Sequence, residues 1–307
     1  MKKCLIIGSV AFDILFDIHG RIQDEILIQN GKIGRQNLMF TAKEKRQFFG
    51  GTAGNIAYGL GLLKEKPLLF SVVGKDFDGE YAPHLKHAGV DTRVVKDREG
   101  FSATFYGMND KLGQQIGVYQ PNAYAKADTT SLFSSCTKKD LKEVTVAIFS
   151  AGTEKSIYKN MSELRKICKN NVQIIFDPGQ VLSIFYDKKS LERTLALSDI
   201  FIGNEVEVEQ LQSILGYSIE RILEGRVSTV IRTLGAKGSF VYTKESTLTI
   251  KPVKPKKVVE TTGAGDAYRA GLISGLLQGK SLELSCALGA KLGSRSVEKL
   301  GAQTYKV

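Results

Sequence analysis

Short apolar, β-branched runs alternate along this chain with longer amphipathic ones. Cys4–Ile7, Leu68–Val73, Val144–Phe149, Gln173–Phe176, Ile200–Ile202 and Val227–Arg232 are too short for helices and read as strands. The amphipathic stretches predict helices over Ala53–Leu63, Phe77–His87, Lys155–Cys168, Lys188–Ala196, Glu205–Leu215, Asp266–Leu277 and Leu282–Val297. Strands that alternate with helices predict an α/β fold: a mostly parallel central sheet with helices on both faces. Ligands then bind beyond the carboxyl ends of the strands. Two segments break the alternation. Ile14–Phe48 holds no convincing helix, and Phe101–Gly107 with Gln115–Gln120 reads as a hairpin around Asn109–Gly113. These insertions, near 14–48 and 94–120, are expected to form a small β-sheet lid on a single domain spanning 1–307. A lid over a reaction centre keeps water out of it.

Composition narrows the class. The chain has 307 residues, 42% of them hydrophobic, which is enough for one large core. No stretch approaches the roughly 18 apolar residues of a membrane span. Lys2-Lys3 before Leu5-Ile6-Ile7 imitates the start of a signal peptide, but Asp13 and Asp17 interrupt it too early. Cys4, Cys136, Cys168 and Cys286 contain no close pair, and His19, His84 and His87 form no ligand cluster. A reducing, cytoplasmic location is the expectation, with no membrane partner. The net charge of +11 attracts anions, either nucleic acid or a phosphate-rich small molecule. The basic run Lys251–Lys257 could raise potential for a triphosphate; a solvated loop with proline stops explains it equally well.

The chemistry concentrates in Glu260-Thr-Thr-Gly-Ala-Gly-Asp-Ala-Tyr-Arg-Ala-Gly271. A loop without bulky side chains opens a helix there, so its backbone N–H groups converge where the helix dipole is positive. That is an anion site. Asp266 stands beside it, where a carboxylate would repel a phosphate unless it takes a proton from an attacking hydroxyl. Gly-x-Gly alone is a weak signal. Tyr268 occupies the third-glycine position of a dinucleotide fingerprint, and Gly279-Lys280-Ser281 lacks the first glycine of a Walker loop.

A second glycine-rich entry to a helix, Phe49-Gly-Gly-Thr-Ala-Gly-Asn55, changes the weighing. With the Thr261–Gly271 segment it resembles the two signature regions of the ribokinase, or PfkB, family of carbohydrate and nucleoside kinases. Gly8–Asp13 is similar to that family's first strand and substrate aspartate, Asn204-Glu-Val-Glu207 to its Asn-x-x-Glu magnesium motif, and Thr233–Gly238 to its nucleotide loop. The motifs come in the family's order over nearly the whole chain.

The resemblance implies roles position by position. Asp266 would be the general base, with the amides of Gly263, Ala264 and Gly265 holding the growing charge. Asp13, Gly50, Gly51 and Asn55 would serve the acceptor, the two glycines as the joint between lid and core. Asn204, Thr233, Gly235 and Gly238 would line the ATP site, and Asn204 with Glu207 would orient Mg²⁺ through water. The rival reading of that last pair is an N-cap and its partner. Glu260 stands where the family often has aspartate near the monovalent-cation site of some members. The longer side chain weighs against potassium activation.

The acceptor is expected to be a nucleoside. Ala11 replaces the asparagine that sugar kinases of the family usually carry before the first aspartate. Phe176–Gln180, Ala103–Phe105 and the run through Tyr268 and Arg269 resemble bacterial adenosine kinases of the family. Phe105 would stack on a purine, and Gln180 would bond a base edge or ribose. Adenosine kinase is therefore the first reading, a kinase for another nucleoside or a sugar the second. A basic protein that binds nucleotide or nucleic acid without catalysis is the rival from another class, and Asp266 argues against it. A homodimer through apolar lid residues is also expected.

Overall fold

The structure, a computed structural model, describes residues 2–26, 28–29, 32–33, 38–112 and 114–307. Parts of the expected Ile14–Phe48 insertion, and Gly113 of the expected hairpin turn, lie outside the described residues. Among the described residues a nine-stranded sheet runs in the spatial order Thr247–Ile250, Ser239–Thr243, Thr229–Thr233, Ile200–Asn204, Gln173–Asp177, Val144–Ser150, Lys3–Ile7, Leu68–Phe70 and Asp91–Thr92. Seven of these strands are parallel; Ser239–Thr243 and Thr247–Ile250 are added antiparallel at one edge.

The central strands are apolar because both of their faces are covered. Successive side chains point to opposite faces, so one strand feeds two cores. Cys4 and Ile6 join one cluster with Ile56, Leu60, Leu272 and Ile273. Leu5 and Ile7 join the other with Phe149, Leu164, Phe176 and Leu211. The first cluster is roofed by the helices Thr52–Leu62, Ala264–Leu277 and Leu282–Ser296, the second by Glu154–Cys168, Lys188–Leu195 and Glu205–Leu215.

A second sheet of four strands runs Gln115–Gln120, Ala103–Asn109, Ala11–Ile18, Ala42–Gly50. Ala11–Ile18 lies parallel to Ala103–Asn109 and antiparallel to Ala42–Gly50. Its register puts Phe48, Asp13, Phe105 and Tyr119 in one row. Cross-strand neighbours share a face of the pleat, so an acid and three aromatic rings look the same way.

Several expected elements differ. The helix expected over Phe77–His87 starts only at Tyr81, and the residues before it form turns. Asp76 there accepts bonds from the backbone N–H and the hydroxyl of Ser102, both at 2.8 Å, which fastens the turn to the second sheet. The strand expected over Leu68–Val73 divides at the buried Ser71, and Val72–Val73 pairs with Val95–Lys96 apart from the main sheet. A four-residue helix, Ile22–Glu25, forms where none was expected. Asp110 accepts the Ile22 amide at 3.0 Å and so satisfies a donor of its first turn.

Candidate active site

Two helices start at the same place. Ala264–Leu277 and Thr52–Leu62 are brought together by Gly59, where a β-carbon would come within 2.7 Å of Ala270 Cβ. Asn55 lies one turn before Gly59, and Asp266 one turn before Ala270. The close approach therefore carries Asn55 to Asp266, and Asn55 Nδ2 donates to Asp266 Oδ2 at 2.8 Å. Asn55 is 5% exposed, so this bond lies inside the protein rather than on the helix surface.

The loop ahead of Asp266 has the form an anion site requires. Gly263 caps the helix at φ 78°, a left-handed conformation, and a β-carbon there would fall on Ala302. Ala264 N–H donates to Thr261 O at 3.2 Å, whereas the amides of Gly263, Gly265 and Asp266 make no bond to a backbone carbonyl among the described residues. Burial pushes the Asp266 carboxyl up to about 7; Arg269 and Asn55 pull it down, and the negative charges of Asp177 and Glu207 push it further up.

Asp13 faces this point from the second sheet. A β-carbon on Gly50 would fall on its carboxyl group, so only glycine leaves the room. Burial first, then Asp266 and Glu260, push Asp13 up to about 7 as well. Two carboxylates that oppose each other's ionisation thus flank one space. Phe105 lies beside Asp13 in the row, its ring over Gly117, where a β-carbon would come within 2.6 Å of it. Tyr119 is next in the row; the protein packed around it and the charge of Asp13 push its hydroxyl well above the usual range. Sequence reasoning placed Tyr119 among the apolar lid residues without a role of its own, because its pairing with Phe105 arises from the hairpin register.

The residues expected on the nucleotide side lie at the carboxyl edge of the main sheet. Asn204 and Thr233 are cross-strand partners at the ends of their strands. The loop after Thr233 turns through Gly235 at φ 56° and Gly238 at φ 94° and is closed by Leu234 N–H to Gly238 O at 2.8 Å. Asn204 and Glu207 form a reciprocal capping box: Asn204 N–H to Glu207 Oε2 at 2.8 Å, Glu207 N–H to Asn204 Oδ1 at 2.9 Å. The structural role of this pair is thus realised. It leaves Glu207 Oε1 without a hydrogen bond among the described residues, which suits Mg²⁺ held through water and does not suit a full oxygen cage. No group of three or more acidic, histidine or cysteine side chains suited to a metal occurs among the described residues.

Behind Asp266 lies an ion pair that sequence reasoning did not single out. Arg269, 6% exposed, reaches Asp177 through Nε at 2.5 Å and Nη2 at 2.6 Å, with Glu207 Oε2 3.9 Å from Nη2. The signal was present as Asp177-Pro178-Gly179-Gln180 and Tyr268-Arg269, but nothing in the chain linked the two. Gln180 sits on the turn Gly179–Val181, exposed and outside this network. Glu260 accepts the Gly301 amide at 2.7 Å.

The comparisons agree with this geometry. The profile described as pfkB family carbohydrate kinase matches residues 1–306. A nucleoside kinase from Methanocaldococcus jannaschii is 29% identical over 99% of this chain and 93% of its own. Its crystal structure superposes with a TM-score of 0.86, over 100% of this chain and 95% of that one. A Burkholderia thailandensis nucleoside kinase, solved in complex with inosine, is 28% identical, with a TM-score of 0.83, over 98% and 93% of the two chains. A ribokinase from Haemophilus influenzae is 26% identical over 83% of each chain. With a family profile matched nearly end to end and a ribokinase-like fold around an acid at a helix start, the chain belongs to the PfkB family of kinases, phosphotransferases that use a hydroxyl group as acceptor.

Proposed function

We propose that this kinase transfers the γ-phosphate of ATP to the 5′-hydroxyl of a nucleoside, with adenosine the preferred acceptor and AMP the product. The observation that carries the reading is the Asp13–Phe105–Tyr119 row facing Asp266 across one space. An acid that can accept two ribose hydroxyls and rings that can take a base face suit a nucleoside better than a bare sugar. The M. jannaschii and B. thailandensis relatives, both named nucleoside kinases, support it.

Asp266 takes the proton of the 5′-oxygen as that oxygen attacks. The amides of Gly263 and Gly265, without a backbone hydrogen bond among the described residues and at the positive end of the helix, stabilise charge on the transferring group. Mg²⁺, when bound with ATP, neutralises phosphate charge; Glu207 Oε1 would hold its water. Asn204, Thr233, Gly235 and Gly238 would flank the nucleotide. Gly50 and Gly51 would let the four-stranded sheet move as a lid on the single domain 1–307, excluding water during transfer. Gln180, exposed in the structure, would meet the base or ribose only once a ligand is bound.

A second reading, that inosine and other purine nucleosides are accepted as well, is favoured by the inosine complex of the B. thailandensis enzyme. An ADP-release assay over adenosine, inosine, guanosine, cytidine, ribose and fructose decides between them. Adenosine should give the highest kcat/KM. A higher value for inosine would move the assignment to the second reading, and one for ribose or fructose would overturn both.

A further inference from the structure

Asp266 is the visible end of a longer chain of hydrogen bonds. Asn55, whose Nδ2 donates to Asp266 Oδ2, accepts at Oδ1 from Gln303 Nε2 at 2.9 Å. The same Gln303 nitrogen donates to the Tyr81 oxygen at 2.5 Å. The Tyr81 hydroxyl donates to the Gly50 carbonyl at 2.5 Å. Asn55, Gln303 and Tyr81 are all buried, so water does not substitute for these partners.

The direction of the chain follows from its far end. A backbone carbonyl only accepts. Tyr81 must therefore spend its single proton on Gly50, and its oxygen is left to accept. Gln303 must then present its amide nitrogen, whose two hydrogens go to Tyr81 and Asn55. With its oxygen taken, Asn55 can turn only its nitrogen towards Asp266. A flipped Asn55 would set its NH₂ against the NH₂ of Gln303 and its oxygen against a carboxylate. Asp266 Oδ2 is thus held as an acceptor, while Oδ1 makes no hydrogen bond among the described residues and stays open to an incoming hydroxyl proton. Gly50 ends the strand Ala42–Gly50, and Gly51, at φ 80°, begins the helix that carries Asn55. The carbonyl that fixes the chain's direction therefore sits at the joint between the second sheet and the core.

We propose that Gln303 and Tyr81 are positioning residues for the phosphoryl transfer: they fix the Asn55 amide so that it donates to Asp266, and they tie that orientation to the Gly50 joint. The inference rests on the reading of Asp266 as the base. Other charged or titratable groups also face Asp266, namely Arg269 on its own helix, Asp177 at the end of Gln173–Asp177, Glu207 on Glu205–Leu215, Asp13 on Ala11–Ile18, and the phenols of Tyr81 and Tyr305. The Gln303 amide also acts on His84, where it opposes the lowering of the imidazole pKa by burial. Removing the amide of Gln303 also takes its contact from His84 and its donor from Tyr81, whereas Tyr81→Phe takes away only the phenol oxygen and leaves the other groups in place.

The test is a titration of Asp266 in protein carrying ¹³C at the aspartate carboxyls, with the signal assigned by its loss in Asp266→Asn. Gln303→Met removes the donor to Asn55 and should raise the Asp266 titration by about half a unit or more, since a hydrogen bond to the charged form is lost. Tyr81→Phe keeps the ring that packs on Phe12, Phe49 and Phe77 and should shift the titration the same way by less. In the double variant the shift should equal that of Gln303→Met alone, because Tyr81 acts through Gln303. The acidic limb of kcat for nucleoside phosphorylation should move with the titration, with KM for ATP unchanged. An unmoved Asp266 in folded Tyr81→Phe, or shifts that add in the double variant, overturns the relay. Should Gln303→Met fail to fold, Tyr81→Phe decides alone. A titration that moves as expected in an enzyme without nucleoside-dependent ADP release would leave the relay standing and bring down the kinase assignment instead.

Discussion

The carboxyl group of Asp266 is under two opposed demands. The role of base proposed for it requires it to be ionised, yet it lies half-buried near Asp177 and Glu207, which disfavour its charge. With the group pushed up to about 7, kcat/KM should climb through pH 7 and level off above it, and a pH–rate profile reads this directly. Asp266→Asn keeps the shape and cannot take the proton, so kcat should fall roughly 10²–10⁴-fold with ATP binding little changed. Near-normal turnover would remove Asp266 from the role of base. The same shift has a cost in stability. A carboxyl whose folded value lies near 7 and unfolded value near 4 binds more protons when folded, so stability declines as pH rises across that interval. Asp266→Asn should therefore melt above the wild type at pH 8, with the difference vanishing by about pH 4; equal melting temperatures at pH 8 would show that the buried charge is not destabilising. Phe105→Ala should raise KM for adenosine without unfolding the protein, because it deletes a ring face over Gly117. At this scale the sequence disclosed Asp266 and the glycines around it, since loop, acid and helix are contiguous. It did not disclose Gln303, Tyr81 or Tyr119. Gln303 meets Asn55 across 248 positions, and nothing local marks a buried glutamine as part of a site.

Elements bring those distant residues together, and glycine sets how closely. The helix Ala264–Leu277 packs on Leu282–Ser296 so tightly that a β-carbon on Gly271 would lie 2.6 Å from Leu288 O and 2.7 Å from the Gly289 backbone. Those are backbone atoms and cannot turn aside. Gly271→Ala should cost about 1–3 kcal/mol through overpacking, read as a lower midpoint in urea, and an unchanged midpoint would mean that the helices slide apart freely. Helix boundaries such as Glu205–Leu215 were legible because cap, periodicity and stop lie in one stretch. Phe77–His87 was misjudged because Asp76, which fastens the turn before Tyr81, finds its partner Ser102 in another element. Apolar periodicity reports what a segment buries, not which distant group holds its first residues out of the helix.

The whole molecule leaves one surface to account for. Some of the apolar lid residues were expected to face the substrate and the rest a partner chain; of those on Ala11–Ile18, Phe12, Leu15 and Ile18 are buried within this chain. What stays open lies elsewhere on the same sheet. Tyr106 and Phe101 are exposed and line a cleft of about 520 Å³ with Ile14 and Phe12, and Val118 beside Tyr106 is 61% exposed. This is the face opposite the Asp13 row. The two sheet edges are unlike. Ala42–Gly50 carries Lys43, Glu44, Lys45 and Arg46, charges that discourage pairing, whereas Gln115–Gln120 presents Gln-Ile-Gly-Val-Tyr-Gln with no charge. An uncharged open edge beside an exposed apolar face fits a second copy of the same strand across a two-fold axis. Light scattering should accordingly give about twice the chain mass of 33.7 kDa. Val118→Lys should reduce that to the single-chain mass while phosphorylation persists, because Val118 lies on the face away from Asp13. A wild type that scatters as a single chain at working concentration would mean that this edge is left bare and that its short strand alone guards it from aggregation.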